Sequence, residues 1–311
     1  MAPAVGRQVT SVVDLLGSAV VTRASLWLSR RRLRVIAYHG VGDGRAFGQQ
    51  LEFLSDRFNV VTGADVLAAQ ESGQSLPERA LWLTFDDGRL SVVETGLAQL
   101  ERVGLPATIF VCPGLLPDDA KYWWSIVESA LADGPVRFDG RFWQDQALIT
   151  KLKTVGDDER RRFVAELATQ LNLSHSHDPD PPVGRRDLQR WIDSGREVGN
   201  HTWDHPCMNR CESDEQQRQI LASHEALRKL LHAPPLLFAY PNGDYTPESR
   251  EVLAQAGYGL ALAFDHRLSR SSDDPLNLSR LRLDSDASLK RTAAIVSGSH
   301  SAVLGLRTRL R

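Results

Sequence analysis

From Arg34 onward the chain alternates short β-rich apolar runs with longer stretches whose apolar residues recur every three or four positions, and this alternation restricts the fold more than any other feature. The runs are Arg34 to Tyr38, Asn59 to Thr62, Ala80 to Phe85, Ala107 to Cys112, Glu197 to Gly199, Leu236 to Ala239, Tyr258 to Phe264 and Leu278 to Leu283. Helical patterns lie between them, as at Ser91 to Val103, Asp214 to Leu231 and Pro247 to Ala256. Strands alternating with helices build a mostly parallel sheet, and seven or eight such units suit a barrel. Between Gly114 and Arg186 the rhythm lapses into a mainly helical insert that starts at Tyr122, Trp123 and Trp124. The insert ends in a polar, proline-containing run, Ser174 to Gly184, expected to be a mobile loop with His175 and His177 solvated.

The length of 311 residues allows a full core, and 42% hydrophobic with 24% charged residues is an ordinary globular composition. A net charge of -2 supplies no basic field for nucleic acid, which is set aside as a partner. The three cysteines Cys112, Cys207 and Cys211 are too few for a disulfide framework and read as ordinary thiols. Val9 to Leu28 is apolar but interrupted by Asp14 and Arg23, and its basic cluster, Arg30 to Arg32, follows rather than precedes it. That order argues against a signal peptide or a spanning helix. It predicts an amphipathic helix that packs on the domain or lies on a membrane surface, in a cytoplasmic protein. The expected organisation is thus an N-terminal helical segment over 1–33, the main domain over 34–285 and a C-terminal helix over 286–311.

Several strand runs end in reactive side chains: Tyr38-His39, Asp86-Asp87-Gly88, Asn200-His201 and Tyr240-Pro241-Asn242-Gly243. On a parallel barrel such ends converge on one mouth. In Thr84 to Gly88 two adjacent carboxylates follow an apolar strand. They either take separate jobs at a site, one toward a metal and one toward a water, or cap the helix that begins near Leu90. His201 and His205, four apart in H-T-W-D-H, would share one side of a helical turn and chelate one ion, leaving open positions when a carboxylate completes the set. The turn formers of Phe238 to Gly243 also allow a plain strand-to-loop turn.

With Thr84 to Gly88, His201 to His205 and Phe238 to Gly243 in this order, the sequence resembles the polysaccharide deacetylase family, also called the NodB-homology or carbohydrate esterase 4 family, over roughly Arg34 to Leu283. The resemblance implies a distorted (β/α)7 barrel and hydrolysis of N-acetyl, occasionally O-acetyl, groups on sugars. It makes Asp86 the catalytic base and Asp87, His201 and His205 the ligands of a divalent metal, zinc first, with cobalt, nickel or manganese as alternatives. In the third motif it gives the backbone N–H of Asn242 to the oxyanion, with Tyr240 and Pro241 shaping the groove. Tryptophans Trp123, Trp124 and Trp203 either stack on sugar rings or pack inside.

The chain also departs from the common pattern of that family, since Ala239 stands where an arginine is usual and the late Leu-x-His motif is missing. Arg280 either replaces that arginine beside Asp86 or has an exposed structural role. Tyr38-His39 resembles an early pair in the bacterial exopolysaccharide deacetylase branch; because His39 follows a strand and should face the same mouth as Asp86, it is the expected general acid, ahead of His300, with a buried structural histidine as the other reading. The expected substrate is an N-acetylated glycan or sugar lipid. The rival readings are a catalytically silent carbohydrate-binding protein and the same chemistry on a lipid-linked sugar, a formamide or an O-acetyl ester.

Overall fold

A computed structural model describes residues 19–171, 178–270 and 272–299. Its main sheet is wholly parallel, in the order β10-β1-β3-β4-β7-β8-β9, with β2 set against β3. The strands are β1 (Arg34–Tyr38), β2 (Asn59–Val60), β3 (Ala80–Phe85), β4 (Thr108–Val111), β7 (Glu197–Asn200), β8 (Leu237–Ala239), β9 (Leu260–Leu262) and β10 (Leu281–Arg282), while β5 (Val136–Phe138) and β6 (Arg141–Trp143) form a separate hairpin. Around them lie α1 (Ala19–Leu28), α2 (Gly44–Ser55), α3 (Gly63–Ser72), α4 (Leu97–Val103), α5 (Trp123–Asp133), α6 (Ala147–Leu152), α7 (Asp157–Gln170), α8 (Arg185–Asp193), α9 (Ser213–Leu231), α10 (Pro247–Gln255) and α11 (Leu289–Val296). This is the parallel barrel that the strand and helix alternation suits, in the distorted (β/α)7 form that the family resemblance implies.

The strands are apolar on both faces because both are covered. Val35, Trp82, Phe110, Ala239, Leu262 and Leu278 share the inner cluster. Their neighbours Ile36, Leu81, Leu83, Ile109 and Val111 pack outward against the helices. The ring closes unevenly. Leu262 bridges Leu278 in parallel, and three residues later Leu281 pairs with Ile36, so the segment 278–282 hands the sheet from β9 to β1. The run Leu278 to Leu283 therefore serves two neighbours in succession, and only its second half forms β10.

A second distortion lies at the start of the strands. β2 pairs with the first two residues of β3, whereas β4 pairs with its last two, so β3 and β4 splay apart at that end. Helix α3 fills the opening, with Val66 and Leu67 in the inner cluster. Glu197 pins it there: its carboxylate accepts the backbone N–H groups of Gly63 and Ala64 at 2.7 and 2.8 Å and the Thr108 hydroxyl at 2.5 Å. A negative group on two free amides at a helix start is favourable through both hydrogen bonding and the helix dipole.

After β4 the chain leaves the barrel, and α5, the hairpin, α6 and α7 build their own apolar cluster around Val127, Phe138, Leu148 and Val164 before α8 returns to β7. Of the run expected to be mobile, residues 174–177, with His175 and His177, lie outside the described residues; the remainder is pinned. Asp178 accepts the Ser125 hydroxyl, Asp180 accepts both the N–H and the hydroxyl of Ser91, and the Val183 N–H donates to the Gly88 carbonyl at 2.7 Å. Proline and polar residues suggest a loose loop, but here they thread beside the turn after β3 and find fixed partners.

Of the apolar N-terminal run, the described part is α1, which buries Leu26 and whose Ser25 hydroxyl donates to the Ser297 carbonyl at 2.7 Å. The C-terminal segment is described to Ser299, so His300 lies outside the described residues. The splayed seam yields one prediction. Glu197→Ala should lower stability by about 1–3 kcal/mol, the range for lost hydrogen bonds to a charged group. Urea unfolding should show this as a lower midpoint at unchanged slope. A midpoint equal to the parent's would mean that Thr62 and Asp65, which already cap α3 reciprocally, suffice alone.

Candidate metal and catalytic site

The period of two that sets the inner cluster also aims the strand ends. On β1 the inward phase runs Val35, Ala37, His39, on β3 it runs Trp82, Thr84, Asp86, and on the closing segment it runs Leu278, Arg280, Arg282. On β7 it reaches Gly199, where an added Cβ would lie 2.3 Å from the inward Phe110 ring, and next His201. These residues come from distant parts of the sequence and meet at one end of the barrel. His39, Asp86, Asp87, His201, His205, Asn242 and Arg282 all line a single cleft of about 520 Å³.

The loops then bend sharply. Asp87, Thr202, His205 and Asn242 all have left-handed backbones, with φ of 68°, 72°, 60° and 56°. For residues other than glycine this costs roughly 1–2 kcal/mol each. Side chains of the loop and of α9 hold the strain. Asn200 Oδ1 accepts the Thr202 N–H at 2.9 Å, Thr202 Oγ1 accepts the His205 N–H at 3.2 Å, and Gln219 Oε1 accepts those of Trp203 and Asp204. The two histidines thus do not share a helical turn, as their spacing suggests. They converge through a loop, because side-chain acceptors satisfy the amides that a helix would have used.

Asp87, His201 and His205 are all buried and place one donor atom each within 4.8 Å of the others. His201 Nε2 is 3.5 Å and His205 Nε2 3.2 Å from Asp87 Oδ1. His201 Nδ1 is 2.7 Å from the Ala239 carbonyl oxygen, which can only accept, so the proton sits on Nδ1. With Nδ1 donating to Ala239, His201 Nε2 faces the Asp87 carboxylate, where it either donates to that oxygen or shares a cation with it. Two imidazoles and a carboxylate suit a divalent ion and leave positions open. Burial raises the Asp87 carboxyl, but the contacts to His201 and His205 outweigh it and hold the group well below the usual carboxylate range. Burial lowers the His205 imidazole despite Asp87, favouring the neutral form that a ligand needs.

Asp86 lies beside this group, 3% exposed. Arg280 is wholly buried, donating from Nη1 to Asp86 Oδ1 at 2.5 Å and from Nε to the Ala263 carbonyl at 3.0 Å. The exposed role considered for Arg280 is therefore excluded. Burial raises the Asp86 carboxyl, while Arg280, with His201 and His39, more than offsets this and keeps it below its ordinary value. His39 stands edge-on to Phe264 at 6.2 Å, and burial lowers its imidazole despite the pull of Asp87 and Asp86.

The helix-capping alternative for the paired aspartates fails, since Asp180 takes the Ser91 N–H at 2.9 Å. Tyr240 is also corrected: being one residue out of the inward phase, it packs in an outer cluster with Phe238 and donates its hydroxyl to the Leu276 carbonyl at 3.0 Å. Pro241 is buried in the turn, and Asn242 Oδ1 accepts from Lys153 of the insert at 2.7 Å. Trp123 is buried under the Arg160 guanidinium, whereas Trp124 lines the cleft against the His205 ring at 4.7 Å. Sequence reading missed Arg89, which lies 3.4 Å from Asp87 Oδ2 and 3.9 Å from Asp180, and Tyr122, whose hydroxyl donates to the Asp87 carbonyl at 3.3 Å. Arg89 directly follows the aspartate motif, but its partner Asp180 is distant in sequence, and the two meet only through the insert.

The Asp86–Arg280 pair yields a pH-dependent prediction. A depressed carboxyl pKa contributes stability above the unfolded value, about 3.9, and loses it as pH falls through the lower folded value. Arg280→Met in metal-free protein should cost roughly 3–5 kcal/mol at neutral pH, leaving Asp86 buried and unpaired, and less in acid. Adding Asp86→Asn should recover part of the loss. A penalty that did not change with pH would assign Arg280 to packing alone.

The family model for polysaccharide deacetylase matches residues 73–261. A chitooligosaccharide deacetylase of Bradyrhizobium sp. (strain ANU 289) is 34% identical over 71 residues, 22% of this chain and 32% of that protein, so the match spans about a third of that relative's length. Among solved structures, the Streptococcus pyogenes deacetylase PplD in complex with acetate superposes with a TM-score of 0.60 at 17% identity, covering 84% of this chain and 96% of that one. IcaB from Ammonifex degensii gives a TM-score of 0.58 at 20% identity, covering 86% and 97%. At these identities the two structures speak for the fold, and the family model for more than half of the chain: this protein belongs to the polysaccharide deacetylase family.

Proposed function

We propose that the protein hydrolyses N-acetyl groups on the sugars of a polysaccharide or glycan precursor, releasing acetate and a free amine. In this reading Asp87, His201 and His205 hold one zinc ion, Asp86 is the general base and His39 the general acid. The observation that carries it is an ionised carboxylate, Asp86, held by the buried Arg280 immediately beside a three-donor group at the foot of an open cleft. A divalent ion bound there supplies acidity to a water and polarises the acetyl carbonyl.

The remaining chemistry belongs to the chain. Asp86 accepts the proton of the attacking water, and Arg280 positions it and keeps it ionised until then. A new carbon–oxygen bond forms at the acetyl carbon, and the backbone N–H of Asn242 stabilises the charge on the former carbonyl oxygen. His39 then donates a proton to the sugar nitrogen as the carbon–nitrogen bond breaks. Because burial lowers the His39 imidazole from its ordinary value, activity should fall as pH rises through that lowered value. A catalytically silent carbohydrate-binding protein would have no use for a base paired with a buried arginine. Lipid-linked sugars, formamides and O-acetyl esters belong in the same assay panel.

Two sets of measurements test this proposal. Metal analysis should find about one zinc per chain, lost in His201→Ala and His205→Ala; undiminished metal in both variants would refute the ligand set. Cobalt, nickel or manganese in its place would change only the identity of the ion. With acetate release as the readout, Asp86→Asn should keep its metal and lose on the order of 10²- to 10⁴-fold in kcat. His39→Ala should also lower kcat at constant metal content and abolish the alkaline fall in rate. Parent-like turnover in Asp86→Asn would mean that another group serves as base.

A further inference from the structure

The chain carries a net charge of only -2, yet the end of the barrel opposite the cleft is basic. Helix α1 turns Leu26 into the core and Arg23, Trp27 and Leu28 outward, with Trp27 62% and Leu28 75% exposed. Beside it a groove of about 760 Å³ has Leu26 and Phe53 in its lining together with four cations, Arg23, Arg57, Arg79 and Lys290, and no carboxylate. Exposed Leu289 borders the same groove. The Arg30 guanidinium lies over the Trp27 ring at 5.0 Å, and Arg31 and Arg32 follow it in the chain. Acids in contact are few: Glu78 pairs with Arg30 at 3.0 Å and Asp56 lies 3.8 Å from Arg57. Among the described residues Arg23, Arg31, Arg32, Arg79 and Lys290 have no ion-pair partner.

An exposed tryptophan and leucine side by side are unfavourable in water, and arginines this close together repel one another unless counter-charge is supplied. A bilayer interface resolves both, since tryptophan sits at headgroup depth, leucine in the acyl boundary and arginine at the lipid phosphates. We infer that this face docks on an anionic phospholipid bilayer through Trp27, Leu28 and the surrounding arginines. No described helix is long and apolar enough to cross a membrane, so the contact lies at its surface. The strands start at this face and end at the cleft, so a docked molecule keeps its cleft directed away from the lipid. The inference does not rest on the hydrolytic reading.

Sedimentation of the full chain with vesicles tests it, comparing phosphatidylcholine alone with phosphatidylcholine containing phosphatidylglycerol. The parent should partition onto the anionic vesicles, and added salt should release it. Arg23→Ser combined with Arg31→Ser should weaken partitioning on the order of 30-fold, about fivefold per cation. Trp27→Ser with Leu28→Ser should weaken it as well. Neither pair touches the cleft, so melting temperature and acetate release from a soluble oligosaccharide should match the parent, which shows that the variants are folded. Equal partition onto neutral and anionic vesicles, parent-like partition of the charge variants, or no partition of the parent would overturn the inference. A parent dimer that Trp27→Ser dissolves, without vesicle binding, would assign the face to a second copy and also overturn it. Absence of acetate release from every substrate would fell the hydrolytic reading and leave this result standing.

Discussion

Two carboxylates lie side by side at the end of β3, almost out of contact with water, and the architecture around them is arranged to keep both ionised. Burial alone would drive each toward its neutral form. Asp86 is answered by one guanidinium from the far end of the sequence, and Asp87 by two imidazoles from the loop after β7 together with Arg89. The separation is chemical as well as spatial. A carboxylate held by an arginine stays free to take a proton, whereas one faced by two imidazole nitrogens is a place for a cation.

The unevenness of the barrel follows from the same requirement. Arg280 can reach Asp86 because the closing segment first pairs with β9 and only then with β1, which leaves Leu278 and Arg280 on the inward phase below the mouth. At the opposite end, the splay of β3 from β4 is filled by α3 and locked by Glu197. One end of the barrel is therefore packed and the other is free to hold charge. The insert completes the second end: Trp124 and Lys153 stand at the cleft, and Asp180 takes over the capping that the motif carboxylates would otherwise supply.

Backbone strain collects where the charges do. Asp87, Thr202, His205 and Asn242 all adopt a conformation that a β-carbon disfavours. In the histidine loop Asn200, Thr202 and Gln219 occupy the backbone amides, and after Asp87 the turn runs through Gly88, so close to Val111 that an added Cβ would be 2.9 Å from its side chain. The strain is the cost of bringing side chains from three separate strand ends to one point.

Much of this was legible in the sequence. Local composition marks the strands, because buried parallel strands must be apolar on both faces, and β1 and β3 fall where the apolar runs predict. The inward phase of Asp86, His39 and His201 follows from counting by twos, and so does the outward turn of Tyr240, one residue out of step with Ala239. The sequence alone determined the alternation of parallel strands and helices and which strands end in aspartate or histidine, since period and residue type are local properties. Only the tertiary structure decided that Arg280 is buried on Asp86, that the histidines meet through a strained loop, and that Arg89 and Asp180 brace the aspartate turn. Each of these depends on a contact between segments far apart in the chain, and no periodicity within a segment encodes the partner it will meet.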